Sequence, residues 1–252
     1  MTQESARARG ARALALWTLA LGFVGVVLTS LSAAGWLRGL RFGCSWAAGG
    51  TESPTVADGA WSCGDGLVLL MPGIAILVLG GLAVLIAALI VLASWDRVRE
   101  RAVMVAALAI LGAAPTVVTC LALLRDASVH DRTMQEAIAA GAESRLAQWD
   151  GFALPALVAT VGAACLAVVG LWLRARGRAL RGAAALVIVA LALLLVAAAL
   201  SMLGTLSLGL TAASIIAAAW QLAAAVRPGS REALQKSSAP MSIERVPDRR
   251  PE

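Results

Sequence analysis

The chain has 252 residues, of which 60% are hydrophobic and only 14% are charged, and its formal net charge is +6. A soluble domain usually carries charge on about a quarter of its residues, so this composition excludes an ordinary soluble protein. The apolar residues come in long blocks without short alternation, which predicts an all-α, polytopic helix bundle in a membrane rather than a membrane β-barrel. The basic residues lie at the ends of these blocks, where membrane orientation explains them, so nucleic acid is not a predicted partner.

The chain begins with a polar, basic segment, residues 1–12, which is followed by the first apolar block at 13–34. We predict a cytoplasmic tail and then an uncleaved membrane span, because the apolar run exceeds the roughly 7–15 residues of a signal-peptide core. A cleaved signal peptide ending at the small residues 32–34 is the alternative.

Residues 67–94 form a run of 28 positions without a charged side chain, long enough to cross a bilayer. A segment with three arginines follows, and this basic end predicts a cytoplasmic location. Further apolar blocks of spanning length lie at 102–124 and 152–173. These spans leave two loops on the outer side of the membrane, at 35–66 and 125–151.

Residues 182–226 form one uncharged stretch of 45 residues, which would be about 67 Å long as a single helix. That length is about twice the thickness of the hydrocarbon core, so the stretch must fold back on itself. Its least apolar point lies near Gly204, which predicts spans at 182–203 and 206–226 joined by a tight outer turn. The six predicted spans together form a membrane domain over 13–226.

The distribution of charge predicts the orientation of this domain. Of the 21 lysines and arginines, 16 lie in segments that six spans place on one side, whereas the two outer loops carry five of them and eight of the 15 acidic residues. This bias predicts that both termini are cytoplasmic. The tail at 227–252 is rich in proline and charge and is predicted to be disordered. The heavy use of arginine and alanine indicates a GC-rich bacterial genome, so we expect a multi-pass protein of a bacterial plasma membrane.

Two of the four cysteines, Cys44 and Cys63, lie in the first outer loop, which would face an oxidising compartment. We predict a disulfide between them, closing a loop of about 20 residues and contributing about 3 kcal/mol. Two unrelated thiols are the alternative. Cys120 and Cys165 are predicted not to pair, because their depths in the membrane differ by about 14 Å.

The second outer loop carries a helical pattern of apolar residues between Asp131 and Trp149. Their spacing of three to four residues predicts a short amphipathic helix. Its apolar face holds the candidate partner-facing residues Met134, Ile138, Leu146 and Trp149. We expect this helix to lie on the outer surface or on the first outer loop, or else to dock a partner protein.

Two features inside the spans are further candidates. Ser207, Thr211 and Ser214 form a weakly polar stripe on one face of the sixth span, which either packs helices closely or lines a pathway. Pro115 lies in the middle of the third span, where proline removes a helical hydrogen bond, and is either a hinge or a static kink. The middle of each span lacks ionisable residues, which argues against proton-coupled transport.

The sequence contains no phosphate-binding glycine loop, no His-Glu-x-x-His pattern and no glycine-flanked catalytic serine. Its single histidine, His130, excludes a multi-histidine metal or haem site, and neither a metal nor a cofactor is predicted. We therefore predict a non-enzymatic accessory or interaction protein whose partners are the bilayer and another membrane protein or a second copy. The alternative is a small permease or channel without proton coupling, with a weakly polar path through spans one, three and six.

Overall fold

A computed structural model describes residues 3–42, 44–46, 61–63, 70–94, 101–139, 141–177, 179–201 and 205–224. The predicted turn at Gly204, the tail 227–252 and much of the loop 35–66 lie outside these residues. The helices and strands of the described part are, in chain order, α1 (Gln3–Thr29), α2 (Ser32–Gly39), β1 (Cys44–Trp46), β2 (Trp61–Cys63), α3 (Leu70–Ser94), α4 (Arg101–Thr133), α5 (Gln135–Ala139), α6 (Arg145–Ala175), α7 (Leu180–Leu200) and α8 (Leu206–Ala224).

Six of these helices, namely α1, α3, α4, α6, α7 and α8, are long and apolar enough to cross a membrane. This confirms the prediction of six apolar helices of spanning length, and such a chain has the organisation of a multi-pass membrane protein. The uncharged stretch 182–226 contributes two of them, α7 and α8, to the described structure.

The helix at the centre of the bundle is α8, which contacts each of the other five long helices. It is the most buried of the six and also the least hydropathic. In a membrane bundle the large apolar side chains face lipid, whereas small and hydroxyl-bearing side chains let helices approach closely inside. The lower hydropathy of α8 therefore follows from its central position.

Two glycines allow α1 and α3 to approach α8 closely. A Cβ atom added at Gly22 of α1 would lie 2.3 Å from the Cβ of Ser214, closer than two such atoms can come. A Cβ added at Gly80 of α3 would lie 2.8 Å from the Oγ1 of Thr211. Each glycine therefore leaves room for one hydroxyl residue of α8.

The first long helix, α1, ends at Thr29 rather than at the predicted residue 34. Three polar side chains near this point donate hydrogen bonds to carbonyls three or four residues earlier: Thr29 to Gly25, Ser30 to Val27 and Ser32 to Thr29. Side-chain hydrogen bonds of this kind compete with the helical ladder and often bend a helix. The chain turns there and continues as α2, whose Trp36 and Leu37 are buried.

The helices α4 and α6 are longer than the predicted spans 102–124 and 152–173. With 33 residues, α4 is about 50 Å long, well beyond a hydrocarbon core of about 30 Å. Its last nine residues, from Arg125 to Thr133, include five ionisable side chains. α6 begins seven residues before the predicted span, at Arg145. The charged end of α4 and the polar start of α6 therefore extend beyond their apolar segments on the same side.

A two-stranded antiparallel ribbon, β1 and β2, lies in the region 35–66 that is predicted to be a loop. Its register places Cys44 opposite Cys63, Ser45 opposite Ser62 and Trp46 opposite Trp61. The two strands have mirrored sequences, Cys-Ser-Trp and Trp-Ser-Cys, so antiparallel pairing sets each residue opposite one of its own kind. This mirror symmetry and the strand preference of tryptophan are the signals that sequence reasoning missed.

Candidate functional site

The most connected group of polar contacts that we find lies where the end of α4 meets the start of α6, at the end of the bundle that the charge distribution predicts to face outwards. We call this group the outer brace: the side chains of Asp126, Asp131, Ser144 and Arg145 and the backbone carbonyl of Cys44 in β1. It joins two long helices to the ribbon. Within the described residues, it is the only place where we find a buried cationic side chain that donates a hydrogen bond to a β-strand.

Arg145 is the centre of the outer brace, and only 10% of its side chain is exposed. Its Nη1 donates to Asp126 Oδ2 at 3.1 Å, and its Nη2 donates to the carbonyl oxygen of Cys44 at 2.8 Å. A guanidinium is planar and carries donors in fixed directions, so it holds both acceptors in one geometry. The start of α6 is thereby tied to α4 and to β1 at once.

Asp131 of α4 caps the first turn of α6. Its carboxylate accepts hydrogen bonds from Ser144 Oγ at 2.5 Å, from the Arg145 backbone N–H at 2.8 Å and from the Leu146 backbone N–H at 3.1 Å. Ser144 is the N-cap residue, and its Oγ also accepts from the Ala147 N–H at 3.0 Å. A negative charge and a side-chain oxygen at a helix N-terminus satisfy donors that have no partner within the helix.

The ionisation of Asp131, which lies in the charged extension of α4 beyond the apolar segment, reflects these contacts. Partial burial works to raise its pKa, but the hydrogen bonds from Ser144, Leu146 and Arg145, together with the charge of His130, hold the pKa below its ordinary value. Hydrogen bonds to a carboxylate favour the charged form. The cap is therefore built around an ionised Asp131.

Trp149 lies one turn beyond the brace and is only 6% exposed. Its indole N–H donates to the backbone carbonyl of Cys120 at 2.9 Å, which joins α6 to α4 below the polar contacts. Trp149 packs in an apolar cluster with Trp36 and Leu37 of α2. The short helix α2 therefore packs against the same end of the bundle as the brace, where Trp36 and Trp149 are both buried.

The predicted amphipathic helix from Asp131 to Trp149 does not form as one element, and this prediction is wrong. The chain there is divided into the end of α4, the five-residue α5 and the start of α6. Gly141, with φ of +100°, and the capping residue Ser144 separate the last two, so the helical spacing is interrupted. The four candidate partner-facing residues consequently differ in their surroundings: Met134, Ile138 and Leu146 are half-buried, and Trp149 is buried.

The candidate polar stripe, Ser207, Thr211 and Ser214, lies in the interior of the bundle on α8. The Thr211 hydroxyl donates to the Ser207 carbonyl at 3.0 Å, and the Ser214 hydroxyl donates to the Thr211 carbonyl at 3.0 Å. These hydroxyls thus bond within their own helix and face the glycines of α1 and α3. The stripe therefore lies where α1 and α3 pack closely against α8.

Pro115, the candidate hinge, is buried within α4, which continues through it without a break. The hydroxyl of Thr119 donates to the carbonyl of Pro115 itself at 2.8 Å. About one turn earlier in α4, a Cβ atom added at Gly112 would lie 3.3 Å from the Cα of Ala212, so α4 and α8 pack closely there. Hinge motion at Pro115 remains a prediction.

Sequence reasoning missed the outer brace, although part of its pattern is visible in the sequence. Ser144 precedes a long helical pattern as an N-cap residue does, and Arg145 is the only basic residue between Arg132 and Arg174. Those signals indicate a helix start at 145. The partners Asp126 and Cys44 are 19 and 101 residues distant along the chain, and no local pattern reports such contacts.

The chemistry available at this site is hydrogen bonding and charge pairing. Within the described residues, no group of three or more histidine, cysteine, aspartate or glutamate side chains is placed to hold a metal ion. The outer brace therefore has the properties of a structural clamp beneath a surface.

Comparison of the chain with known protein families, curated proteins and solved structures finds no match in any of the three.

Proposed function

We propose that this chain is a non-enzymatic accessory or interaction protein of a bacterial plasma membrane, with both termini in the cytoplasm, that presents its outer end to a membrane protein partner. The observation that carries this proposal is the buried guanidinium of Arg145, which bonds both to Asp126 and to the Cys44 carbonyl. It gives the ribbon a defined position on the bundle.

The membrane orientation rests on the distribution of charge and on aromatic residues at the opposite end of the bundle. Arg174 lies over the ring of Trp220 at 3.6 Å from its centre, and Arg176 lies over Trp172 at 3.9 Å. Tryptophan and arginine are typical of the interface between lipid and cytoplasm. These pairs support a cytoplasmic location for the end of α6.

A rigid outer surface suits protein recognition. Burying a charged pair costs free energy unless its geometry is good, so a buried pair is weak evidence for a role in stability alone. In some proteins such pairs instead select one arrangement of the structure over others. A surface held in its binding conformation loses less entropy when a partner binds. Arg145 supports such an arrangement for the ribbon and for the ends of α4 and α6.

The predicted disulfide between Cys44 and Cys63 belongs to the same proposal. Residues directly opposite in an antiparallel pair have Cα atoms about 4.5–5.5 Å apart, which falls inside the roughly 4.4–6.8 Å that a disulfide requires. The register of the ribbon therefore supports this pairing. Cys44 would then carry two restraints, a covalent bond to β2 and the hydrogen bond from Arg145.

The alternative, a permease with a path past Ser207, Thr211 and Ser214, has less support. Two of the three hydroxyls bond to carbonyls of their own helix, and Gly22 and Gly80 bring neighbouring helices against the stripe. Such contacts are typical of helix packing in membranes.

The experiment is purification of the tagged full chain from its native membrane in mild detergent, followed by mass spectrometry. We compare the wild type with Arg145→Gln and with the matched control Arg132→Gln, which removes an exposed arginine at the same end. We expect a stoichiometric membrane partner with the wild type and the control, and its loss with Arg145→Gln. Recovery of the chain alone, with substrate flux in vesicles that Ser207→Ala, Thr211→Ala and Ser214→Ala abolish, would establish the permease instead.

A further inference from the structure

An open apolar groove of about 660 Å³ runs between α1 and α3, away from the outer brace. Its α1 wall extends from Leu16 to Val27, and its α3 wall extends from Leu77 to Ala88. All of its lining residues are apolar side chains or glycine. Its volume is that of a typical small-molecule pocket, about 300–1,000 Å³.

The two walls run antiparallel, because Gly80 of α3 lies against Val26 of α1 and the next residue lies against an earlier position of α1. Gly81 faces Phe23, because a Cβ added at Gly81 would lie 3.2 Å from the Phe23 ring. From Leu16 to Val27 the α1 wall is about 16 Å long. That length is close to half of the roughly 30 Å hydrocarbon core, which is the depth of one leaflet.

Positive charge lies at one end of the groove. Arg12 precedes Leu16 by one helical turn, and Arg9 precedes Arg12 by three residues, so both lie on the face of α1 that forms the wall. Helical side chains lean towards the N-terminus, which directs these guanidiniums away from the hydrocarbon and towards the headgroups. The groove therefore combines an apolar channel of one leaflet's depth with cations at its mouth.

We propose that this groove binds one anionic phospholipid of the cytoplasmic leaflet, with an acyl chain between α1 and α3 and the headgroup phosphate against Arg12. The inference rests on the proposed membrane location and orientation. A guanidinium matches the oxygens of a phosphate in charge and shape. A zwitterionic lipid of the same chain length would fill the groove equally well but would interact less favourably with Arg12.

The test is native mass spectrometry of the purified full chain in detergent, titrated separately with dioleoyl phosphatidylglycerol and dioleoyl phosphatidylcholine. We expect the phosphatidylglycerol complex to exceed the phosphatidylcholine complex by about fivefold, the factor expected for one favourable arginine. Arg12→Gln should reduce binding of the anionic lipid severalfold and leave the zwitterionic lipid unchanged. Ala20→Phe, at an exposed lining position, should reduce binding of both lipids because its ring occupies the groove.

The matched controls are Arg181→Gln, which removes an arginine near the start of α7, and Ala192→Phe, which adds a ring at an exposed position of α7 away from the groove. Both should bind lipid as the wild type does. Equal effects of Arg12→Gln and Arg181→Gln, or of Ala20→Phe and Ala192→Phe, would overturn the lipid site. A wild-type dimer that Ala20→Phe converts to monomer would overturn it in favour of a second copy in the groove. The lipid experiment measures lipid bound to the purified chain and substitutes Arg12 and Ala20, whereas the partner experiment measures a co-purified protein and substitutes Arg145, so failure of one is distinct from failure of the other.

Discussion

The guanidinium of Arg145 donates to the backbone carbonyl of Cys44 at 2.8 Å, joining the first residue of α6 to a strand that lies 101 residues earlier in the chain. A backbone carbonyl as acceptor means that the contact depends on the position of the ribbon and not on the identity of the Cys44 side chain. Arg145 therefore couples the placement of β1 to the helical framework.

Replacing Arg145 by glutamine should destabilise the protein. The substitution removes the charge-assisted bond to Cys44, a contact worth about 1.5–3 kcal/mol, and the pairing with the half-exposed Asp126, which solvent weakens. We expect a loss of about 2 kcal/mol in unfolding free energy, measured by titration with sodium dodecyl sulfate in mixed micelles. The control Arg132→Gln should change stability by less than about 0.5 kcal/mol. Equal stability of the two variants would contradict the assignment of Arg145 as the clamp.

Replacing Gly22 by alanine should also destabilise the protein, because the new methyl group would lie 2.3 Å from the Ser214 Cβ and force α1 away from α8. Overpacking of this kind costs about 1–3 kcal/mol. Gly10 of the same helix has no atom within 4 Å of its added Cβ, so Gly10→Ala is the matched control and should be neutral or slightly stabilising. Adding Ser214→Gly to Gly22→Ala should restore part of the loss, and strictly additive effects in this double-mutant cycle would refute the contact.

Stability should fall at acid pH through Asp131. Its pKa is lower in the folded protein than in the unfolded chain, so its contribution is present above the unfolded value of about 3.9 and is lost as the pH falls through the folded value. Asp131→Asn should therefore be less stable than the wild type at pH 6, with the difference shrinking below about pH 4. His130 and Arg145 are the charged groups beside Asp131, and partial burial together with the charge of Arg145 lowers the pKa of His130 below its ordinary value. A thermal unfolding series from pH 6 to pH 3 measures this, and a difference that stays constant across the series would show that the cap does not titrate.

The ribbon should contain a disulfide. Alkylation of the denatured chain without reductant should label two cysteines, Cys120 and Cys165, whose thiols are free, and treatment with reductant should raise the number to four. Reduction or Cys44→Ser should lower the unfolding free energy by about 3 kcal/mol, as expected for a loop of about 20 residues. Cys165→Ser, at an exposed position, serves as the control for loss of a thiol. Four labelled cysteines in the absence of reductant would exclude the disulfide.

Residue types and their order along the chain determine the six apolar helices. A run such as 67–94 is apolar and long enough to cross a bilayer whichever helices pack against it. A helix also satisfies its backbone hydrogen bonds within the segment. Composition and length therefore predict these elements locally. The boundaries were less predictable. Hydroxyl side chains near Thr29 shorten α1, and the capping contacts of Asp131 and Ser144 extend α6 back to Arg145.

Only the tertiary structure decides which residues meet across the bundle. Nothing local in the sequence places α8 at the centre, sets Gly22 against Ser214 or brings Arg145 to Cys44, because each contact depends on how separate helices pack. Trp149 lies on the apolar face of the predicted surface helix, yet its indole is buried and bonds to the Cys120 carbonyl, because α6 begins early and packs on α4. The sequence by itself thus determined how many helices can cross a membrane, since hydropathy is a property of each segment alone. The outer brace and the groove arise only from packing, since their atoms come from segments distant along the chain.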